Sequence, residues 1–346
     1  MASRHEYASQ INNVPSGMVS IGLLLMGVLF NMHVAQAEGT HPHGEPTVER
    51  IVIEEAISLR LQGKLEQAGM LIEQAISDPA STPADRVALH LELARIHDRV
   101  GLHHNSRPVA AALKQLEQAR ALSGGLGAAA SAAIELGFAD YHYRAEMQAR
   151  KFTVAEAHAR RAIDQFAAIG DGHGHADAVH RLGLIEMQRG ELEKARQLFD
   201  RSLQLDETAG ARLVFRGEYE RHVGFVLYLS GEVLASVPYF RRSLDARQKA
   251  GAVDTAIFAS QSLASVLHEL DKPAEALAHA QYAFETAASI GSPVGRSRSG
   301  LVLGRIYRDL GEPEMARSVL ESTIESARSV GYASVLEQAI SDLAGL

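Results

Sequence analysis

The stretch "GELEKARQLFDRSLQL" (residues 190–205) returns in a related form as "GEVLASVPYFRRSLDA" (residues 231–246). Both begin with Gly-Glu, place Phe nine residues after the Gly and follow it closely with Arg-Ser-Leu. In the first stretch, small and apolar residues recur at the spacing of one helix face: Leu192, Ala195, Leu198, Phe199, Ser202 and Leu203. Such a face is buried only against another element, so the stretch predicts one half of a helix pair.

The same pattern recurs along the chain with a period of 40 or 41 residues. Glycines close the successive segments at Gly170, Gly210, Gly251, Gly291 and Gly331. A second series of turn residues comes five positions before a small residue: Gly190, Gly231, Asp271 and Gly311 precede Ala195, Ser236, Ala276 and Ala316. A fixed period of this length is typical of a repeat array, here with two helices and two tight turns in each unit.

A small residue also lies in the first helix of each regular unit, twelve positions before the small residue of the second helix. These positions are Gly183, Gly224, Ala264 and Gly304. The distance between packed helices depends on the side chains at the contact. We therefore predict close contact between the two helices of a unit at these positions.

The stretch "LGLIEMQRGELEKARQLF" (Leu182 to Phe199) resembles the tetratricopeptide repeat in its longer form of about 40 residues. It has Leu-Gly in the first helix, Gly at the turn, Ala at the start of the second helix and an aromatic residue four positions later. The resemblance implies an all-α, right-handed superhelix of about seven helix-turn-helix units. The units are predicted at residues 48–80, 86–123, 128–170, 173–210, 213–251, 253–291 and 293–331, and residues 332–346 are predicted to form a capping helix.

The second and third units depart from the regular pattern. The second carries an insertion, "LHHNSR" (residues 102–107), before its second helix begins near Pro108. The third has Phe152 where the other units have Gly, and its small residues fit two registers. The boundaries of the third unit are therefore the least determined by the sequence.

The first 37 residues have the character of an export signal. An apolar run, "IGLLLMGVLF" (residues 21–30), is followed by Ala-Gln-Ala at residues 35–37, the small-x-small pattern of a signal-peptidase site. We predict cleavage after Ala37, a flexible leader at residues 38–47 and a periplasmic or secreted protein. The alternative is an uncleaved membrane anchor at residues 18–34, although the run is shorter than the roughly 20 residues of a spanning helix.

The composition favours helices and argues against nucleic acid as a partner. Of the 346 residues, 46% are hydrophobic but only 5% are aromatic, and Trp is absent. The formal net charge is -8, whereas a general nucleic-acid binder normally presents a basic surface. The chain has no Cys, which excludes disulfides and an anchor on a lipid-modified Cys.

The resemblance implies a concave groove lined by the first helices, which in this family commonly holds an extended peptide or a helix of a partner. Carrying the family pattern over unit by unit predicts a partner footprint in the C-terminal half of the groove: Arg221, Tyr228, Phe258, Gln261, Arg298, Arg305 and Arg308. Arg and aromatic side chains tend to dominate interface energetics. The three arginines of the seventh unit predict an acidic or carboxylate-bearing protein segment as the partner.

A solvated helix face is the alternative for those three arginines, with Asp309 and Glu312 as their partners. The family also has a carboxylate clamp, used by co-chaperones, that depends on Asn in the first helices. Asn occurs here only at positions 12, 13, 31 and 105, so we do not expect that clamp.

The sequence contains no motif of a zinc protease, a phosphate-binding loop or a serine hydrolase. The densest group of metal-ligand residue types is "DGHGHADAVH" (residues 171–180), which makes His173, His175 and His180 weak metal candidates. A turn and a helix start are the favoured interpretation, because the neighbouring units place these elements there. We therefore expect no metal, no cofactor and no catalysis.

Together, these features predict a protein-interaction scaffold or adaptor of the cell envelope that binds a partner segment in its groove. A sensory or ligand-binding input of a signalling assembly is the alternative. An enzyme is the third and least favoured class, because a repeat array supplies a groove but no reactive group by itself.

Overall fold

The computed structural model describes residues 48–106 and 108–346. The predicted signal peptide and leader lie outside the described residues. Over this part of the chain the regular secondary structure consists of fifteen α-helices, and no strand is present. None of these helices combines the length and the hydropathy that a membrane span requires.

The helices follow one another as antiparallel neighbours joined by short turns. They are α1 (Val48–Leu61), α2 (Leu65–Ile76), α3 (Pro83–His103), α4 (Ala110–Leu122), α5 (Ala128–Ala145), α6 (Thr153–Ile169), α7 (Gly172–Arg189), α8 (Leu192–Gly210), α9 (Leu213–Leu229), α10 (Val233–Lys249), α11 (Val253–Glu269), α12 (Pro273–Ser289), α13 (Pro293–Asp309), α14 (Pro313–Ser329) and α15 (Ala333–Ala344). Helices α1 to α14 form seven pairs, and α15 packs against α13 and α14. The predicted all-α superhelix of repeated helix pairs with a C-terminal capping helix is confirmed.

One apolar core runs through neighbouring units. Phe240 of α10, Leu263 of α11 and Leu303 of α13 belong to the same cluster of buried side chains, although they come from three successive units. Burial of this kind stabilises each unit through its neighbours as well as through its own pair of helices.

Within a unit, the two helices approach closely where the sequence has a small residue. An ideal Cβ added to Gly183 would lie 2.6 Å from a ring carbon of Phe199, and one added to Gly304 would lie 2.7 Å from Leu320. The small residues at the start of the second helices, Ala195, Ala276 and Ala316, have no exposed surface. A larger side chain at Gly183 would therefore overlap a ring that is itself fully buried.

The irregular turn of the third unit has a packing explanation. Phe152 has a φ of 47°, a left-handed conformation that is rare for a bulky residue, and its side chain has no exposed surface. Its ring stacks on Tyr143 with 5.6 Å between ring centroids. Apolar burial of Phe152 thus offsets the cost of a backbone conformation that Gly adopts at the equivalent turns of other units.

The superhelix closes on itself, because the first two units contact the sixth and seventh. An ideal Cβ on Gly63 would lie 2.9 Å from Ile290. The side-chain amide of Asn105 donates a hydrogen bond to the carbonyl of Val330 at 3.2 Å. Helix α1 also contacts α11, and α3 contacts α13. We call this set of contacts between the two ends of the array the seam.

Candidate functional site: an arginine-lined cavity

A cavity of about 780 Å³ lies inside the closed superhelix. The first helix of each of the seven units contributes to its wall, so the predicted groove is a partly open cavity surrounded by these helices. The wall is unusual in its charges. Among the described residues, it contains nine arginines, no lysine and five carboxylate side chains: Glu92, Asp98, Asp140, Asp177 and Glu218.

Most of the arginines have a carboxylate partner on a neighbouring helix. Arg60 of α1 lies 2.6 Å from Glu92 of α3, and Arg144 of α5 lies 2.6 Å from Asp98 of α3. Arg181 of α7 pairs in the same way with Asp140 of α5. These pairs join first helices of successive units across the inner surface of the superhelix.

Arg212, which precedes α9, is the most completely paired of these arginines. It lies 2.8 Å from Asp177 of α7 and 2.8 Å from Asp206 of α8, and its guanidinium carbon lies 3.8 Å from the ring centroid of Phe215. The hydroxyl of Tyr219 donates a hydrogen bond to Asp177. Although burial alone lowers the pKa of a guanidinium, Asp177 and these other neighbours raise the pKa of Arg212 above its ordinary value. The charge of Arg212 is thus fully compensated.

Two other arginines of the wall, Arg221 and Arg298, have no carboxylate within 4.0 Å among the residues that the structure describes. Their contacts are with aromatic rings. The guanidinium carbon of Arg221 lies 4.6 Å from the ring centroid of Phe225, and that of Arg298 lies 5.8 Å from that of Phe258. The Nε atom of Arg221 is buried and has no hydrogen-bond partner.

The surroundings of Arg221 disfavour its positive charge. Burial, together with the nearby charges of Arg247, Arg298 and Arg99, lowers its pKa to about 9 against the opposing effect of Glu218. Arg247 reaches this part of the cavity from a second helix, α10. Its side chain passes Gly217, where an ideal Cβ would lie 2.8 Å from Cγ of Arg247.

Two histidines and one glutamate form a buried cluster in the same wall. Nε2 of His180 lies 2.9 Å from Nδ1 of His222, which lies 3.8 Å from Oε1 of Glu218. Burial is the main reason that the pKa of His222 is lowered to about 3 and that of His180 falls well below its usual value. Both imidazoles are therefore uncharged at neutral pH.

This cluster has the ligand types and spacing of a metal site, since its donor atoms all lie within 4.8 Å of one another. Its electrostatic surroundings oppose a divalent cation, however. Arg221, Arg247 and Arg181 all act on His222 with positive charge, and Arg247 already binds Oε2 of Glu218 at 2.5 Å.

The three predicted metal candidates are separated by the structure. His180 belongs to the cluster just described, whereas His173 lies 3.2 Å from Asp206 in the network around Arg212. Nε2 of His175 is buried without a hydrogen-bond partner. As predicted for this stretch, Asp171 precedes the helix and accepts a hydrogen bond from the backbone N–H of Gly174.

Only some residues of the predicted partner footprint lie in the cavity wall. Arg221, Phe258 and Arg298 lie together in the cavity wall. The hydroxyl of Tyr228 donates a hydrogen bond to Glu269 at 2.7 Å, and the amide of Gln261 donates one to Ser265 at 3.3 Å.

Arg305 and Arg308 lie away from the cavity wall, near the capping helix. Arg305 pairs with Asp342 of α15 at 2.5 Å, and Arg308 lies 2.9 Å from Asp309 and 3.7 Å from Asp342. Arg305 and Arg308 thus have carboxylate partners within the protein, and a carboxylate-binding group of all three arginines of the seventh unit stays a prediction.

Sequence reasoning missed the arginines that reach the cavity from positions outside the inner face of the first helices. Arg212 lies in the turn before α9, and Arg247 lies near the end of a second helix. The available signal was the residue type, because the wall uses arginine alone as its cation. Arg is the residue preferred for buried and bidentate ion pairs.

Comparison with known proteins identifies the repeat. Residues 176–209 match the family model of the tetratricopeptide repeat. No curated protein sequence matches the chain. Among solved structures, the chain is similar to a Rap protein complexed with competence and sporulation factor, with a TM-score of 0.58, 12% identity, and coverage of 94% of this chain and 97% of that chain.

Two further structures share the architecture. Aspartyl phosphate phosphatase F from Bacillus subtilis has a TM-score of 0.52 and 10% identity, with 89% of this chain and 95% of that chain covered. A signal transduction ATPase with a tetratricopeptide repeat sensor from Pyrococcus horikoshii has a TM-score of 0.54 and 14% identity, with 85% and 44% covered. At these identities the likeness shows the fold, a superhelix of tetratricopeptide-type units.

Proposed function

We propose that this tetratricopeptide-repeat protein binds a peptide segment of a partner protein inside its central cavity, as a scaffold or adaptor of the cell envelope. The observation that carries the proposal is the cavity itself, since all seven first helices contribute side chains to one space of about 780 Å³. Ligand sites commonly have volumes of about 300–1,000 Å³. A short extended segment suits this space.

The envelope location is supported by the sequence of the first 37 residues, with its apolar run and its small-x-small tripeptide. Mass spectrometry of the mature chain tests it. We expect an N-terminus at residue 38 in an envelope fraction, whereas a full-length chain in the cytosol would remove the envelope from the proposal.

Within the cavity, Arg221, Phe258 and Arg298 are the proposed centre of the partner footprint. Arginine and aromatic residues tend to be hot spots of binding, and these three residues lie in the wall of the cavity. The proposed acidic character of the partner is supported by the excess of arginines over carboxylates in the wall. Arg305 and Arg308 instead stabilise the capping helix through Asp342.

Affinity capture from an envelope extract, with a variant that fills the cavity, tests the function. Met187 lines the cavity and is partly exposed, so Met187→Trp adds bulk there. Met315 is 48% exposed on α14 and lies outside the cavity wall, so Met315→Trp is the matched control. We expect the wild type and Met315→Trp to capture the same partner and Met187→Trp to lose it. Equal capture by both variants would place the partner elsewhere on the molecule.

A sensory role is the second candidate, and closure of the superhelix is the observation that favours it. A ligand in the cavity would contact first helices from both sides of the seam, so occupancy and the shape of the array would be linked. The two functions differ in a measurable way. A sensor changes its capture of a partner when a small ligand fills the cavity, whereas for the proposed scaffold the captured partner itself occupies the cavity and competes with that ligand.

A further inference from the structure

Four guanidiniums converge on one part of the cavity wall. Arg221 and Arg247 belong to the fifth unit, Arg99 comes from α3 and Arg298 comes from α13, and all three neighbours act on Arg221 with positive charge. We propose that this group, here called the arginine subsite, binds a carboxylate of the peptide ligand. The inference rests on the proposed function for the peptide, and it adds which chemical group is recognised and where.

The charges of the subsite are not balanced by the protein. Arg247 binds Glu218 at 2.5 Å, and Arg99 lies 3.6 Å from the fully buried Asp254. Arg221 and Arg298 remain without a carboxylate partner among the described residues. Both side chains are half-buried, and a charge withdrawn from water without a partner is costly, so these two guanidiniums in the cavity wall are a ready site for an anion.

The geometry leaves the binding edges of these two guanidiniums available. Arg221 packs against the ring of Phe225 and Arg298 against the ring of Phe258, so aromatic contacts take up part of each side chain's surface. A guanidinium binds a carboxylate in its plane, through parallel N–H donors. Nε of Arg221 is one such donor, buried and without a partner. The rings thus fix the side chains while the donors stay free for the ligand.

A carboxylate of a peptide has two sources, the chain terminus and an Asp or Glu side chain. Three acetylated pentapeptides separate them: pentaalanine with a free terminal carboxylate, its C-terminal amide, and an amide with one central Glu. We expect one of the two carboxylate-bearing peptides to bind and the uncharged amide to bind at least about tenfold more weakly, because hydrogen bonds to charged groups contribute about 1.5–3 kcal/mol.

Isothermal titration with the full mature chain and two variants is the decisive measurement. Arg221→Gln keeps hydrogen-bonding capacity and removes the charge, and we expect it to weaken binding of the carboxylate peptide about tenfold or more. Arg317→Gln is the matched control, because Arg317 of α14 is exposed and lies outside the cavity wall and the predicted footprint. Circular dichroism and melting curves check that both variants fold.

A second readout separates direct contact from a structural effect. Since the pKa of Arg221 is lowered to about 9 in the empty site, a carboxylate beside it should raise that pKa. Binding at pH 9 should then take up protons from the buffer, and binding at pH 7 should not. Titrations in buffers of different ionisation enthalpy measure this uptake, and we expect Arg221→Gln to abolish it.

Several results would overturn the inference. They are equal binding of all three peptides, unchanged binding to Arg221→Gln, or binding of inorganic phosphate with no binding of a carboxylate peptide. Binding of Zn²⁺ to the empty cavity would equally contradict an anion site beside His180 and His222. If the captured partner is lost with Met187→Trp but still binds Arg221→Gln at full affinity, the peptide-binding function stands and the arginine subsite is wrong.

Discussion

Arg212 and Arg221 lie nine residues apart in the sequence and both contribute to the cavity wall, but their surroundings are opposite. Arg212 has Asp177 and Asp206 at 2.8 Å, and its pKa is raised. Arg221 has three other arginines in its neighbourhood and no carboxylate partner, and its pKa is lowered to about 9. Arginine in this wall therefore stabilises the fold at position 212 and destabilises it at position 221.

The difference separates a structural role from a binding role. A paired buried arginine depends on its partners, and they depend on it. An unpaired one is tolerated at a cost in stability when a site needs it, which is the usual trade-off between stability and function. The role of a charged residue in such a wall can therefore be assigned only when its partners are known.

The largest effect on stability should come from replacing Arg212, the paired arginine. Arg212→Met leaves Asp177 and Asp206 without their cation, and loss of one partner from a buried pair costs about 3–5 kcal/mol. Urea denaturation measures the change in the free energy of unfolding. Arg216→Met is the control, because Arg216 is partly exposed and pairs with the exposed Glu207, and it should cost less than about 1 kcal/mol. Equal costs would mean that the pairing of Arg212 contributes little.

A packing substitution within the fourth unit shows how much of the stability depends on contacts other than charge. Gly183→Ala places a Cβ 2.6 Å from the buried ring of Phe199 and should cost about 1–3 kcal/mol. Gly69→Ala is the control on α2, where the nearest atom outside the helix would be 3.9 Å away. There the gain in helix propensity should stabilise the protein by up to about 1 kcal/mol. The reverse order of melting temperatures would contradict the close helix contact at Gly183.

Removal of the charge of Arg221, the unpaired arginine, should stabilise the protein without a ligand. Arg221→Met removes a half-buried charge that has no carboxylate partner among the described residues, and we expect a gain of about 0.5–2 kcal/mol in the free energy of unfolding. Arg305→Met is the contrasting variant, because it removes the partner of Asp342 and should lower the melting temperature. A loss of stability in Arg221→Met would show that the site is compensated in a way that the contacts do not reveal.

The smallest effect concerns pH. The folded-state pKa of Arg221, about 9, lies well below the ordinary value of a guanidinium, so above pH 9 the unfolded chain holds a proton that the native state releases. Below pH 9 the charge therefore lowers the free energy of unfolding by its full amount. Above pH 9 it lowers the free energy of unfolding by less, because the native state has released the proton. The difference in melting temperature between Arg221→Met and the wild type should narrow from pH 8 to pH 10.5. A constant difference over this range would argue against the lowered pKa.

The repeat architecture was predictable because its signal is local. Residues such as Gly183 and Ala195 lie twelve positions apart and mark one contact in every regular unit. The phase of the repeat also predicted which positions of the first helices face inward. Three of these residues, Arg221, Phe258 and Arg298, lie in the wall of one cavity. The seven-residue footprint as a whole stays a prediction.

The parts that sequence reasoning missed depend on contacts between distant residues. Arg247 reaches the cavity because Gly217, thirty positions earlier, has no side chain in its path. Arg305 is held by Asp342 of the capping helix, a partner that no repeat pattern contains. Closure of the superhelix depends on the sum of many small rotations between units, which a repeat consensus does not specify.

The seam has a consequence for the rates at which the molecule works. Asn105 and Val330 are 225 residues apart, whereas all other units are joined by contacts between neighbours. Closing a loop of that length carries an entropic cost that can be recovered only after the units between have folded. We expect the seam to form last in folding and to open first in the native state, so that amide hydrogens of α1 and α3 exchange faster than those of α9 and α10. The residence time of a ligand that contacts both sides of the seam would then depend on how often the seam opens as well as on the affinity of its contacts.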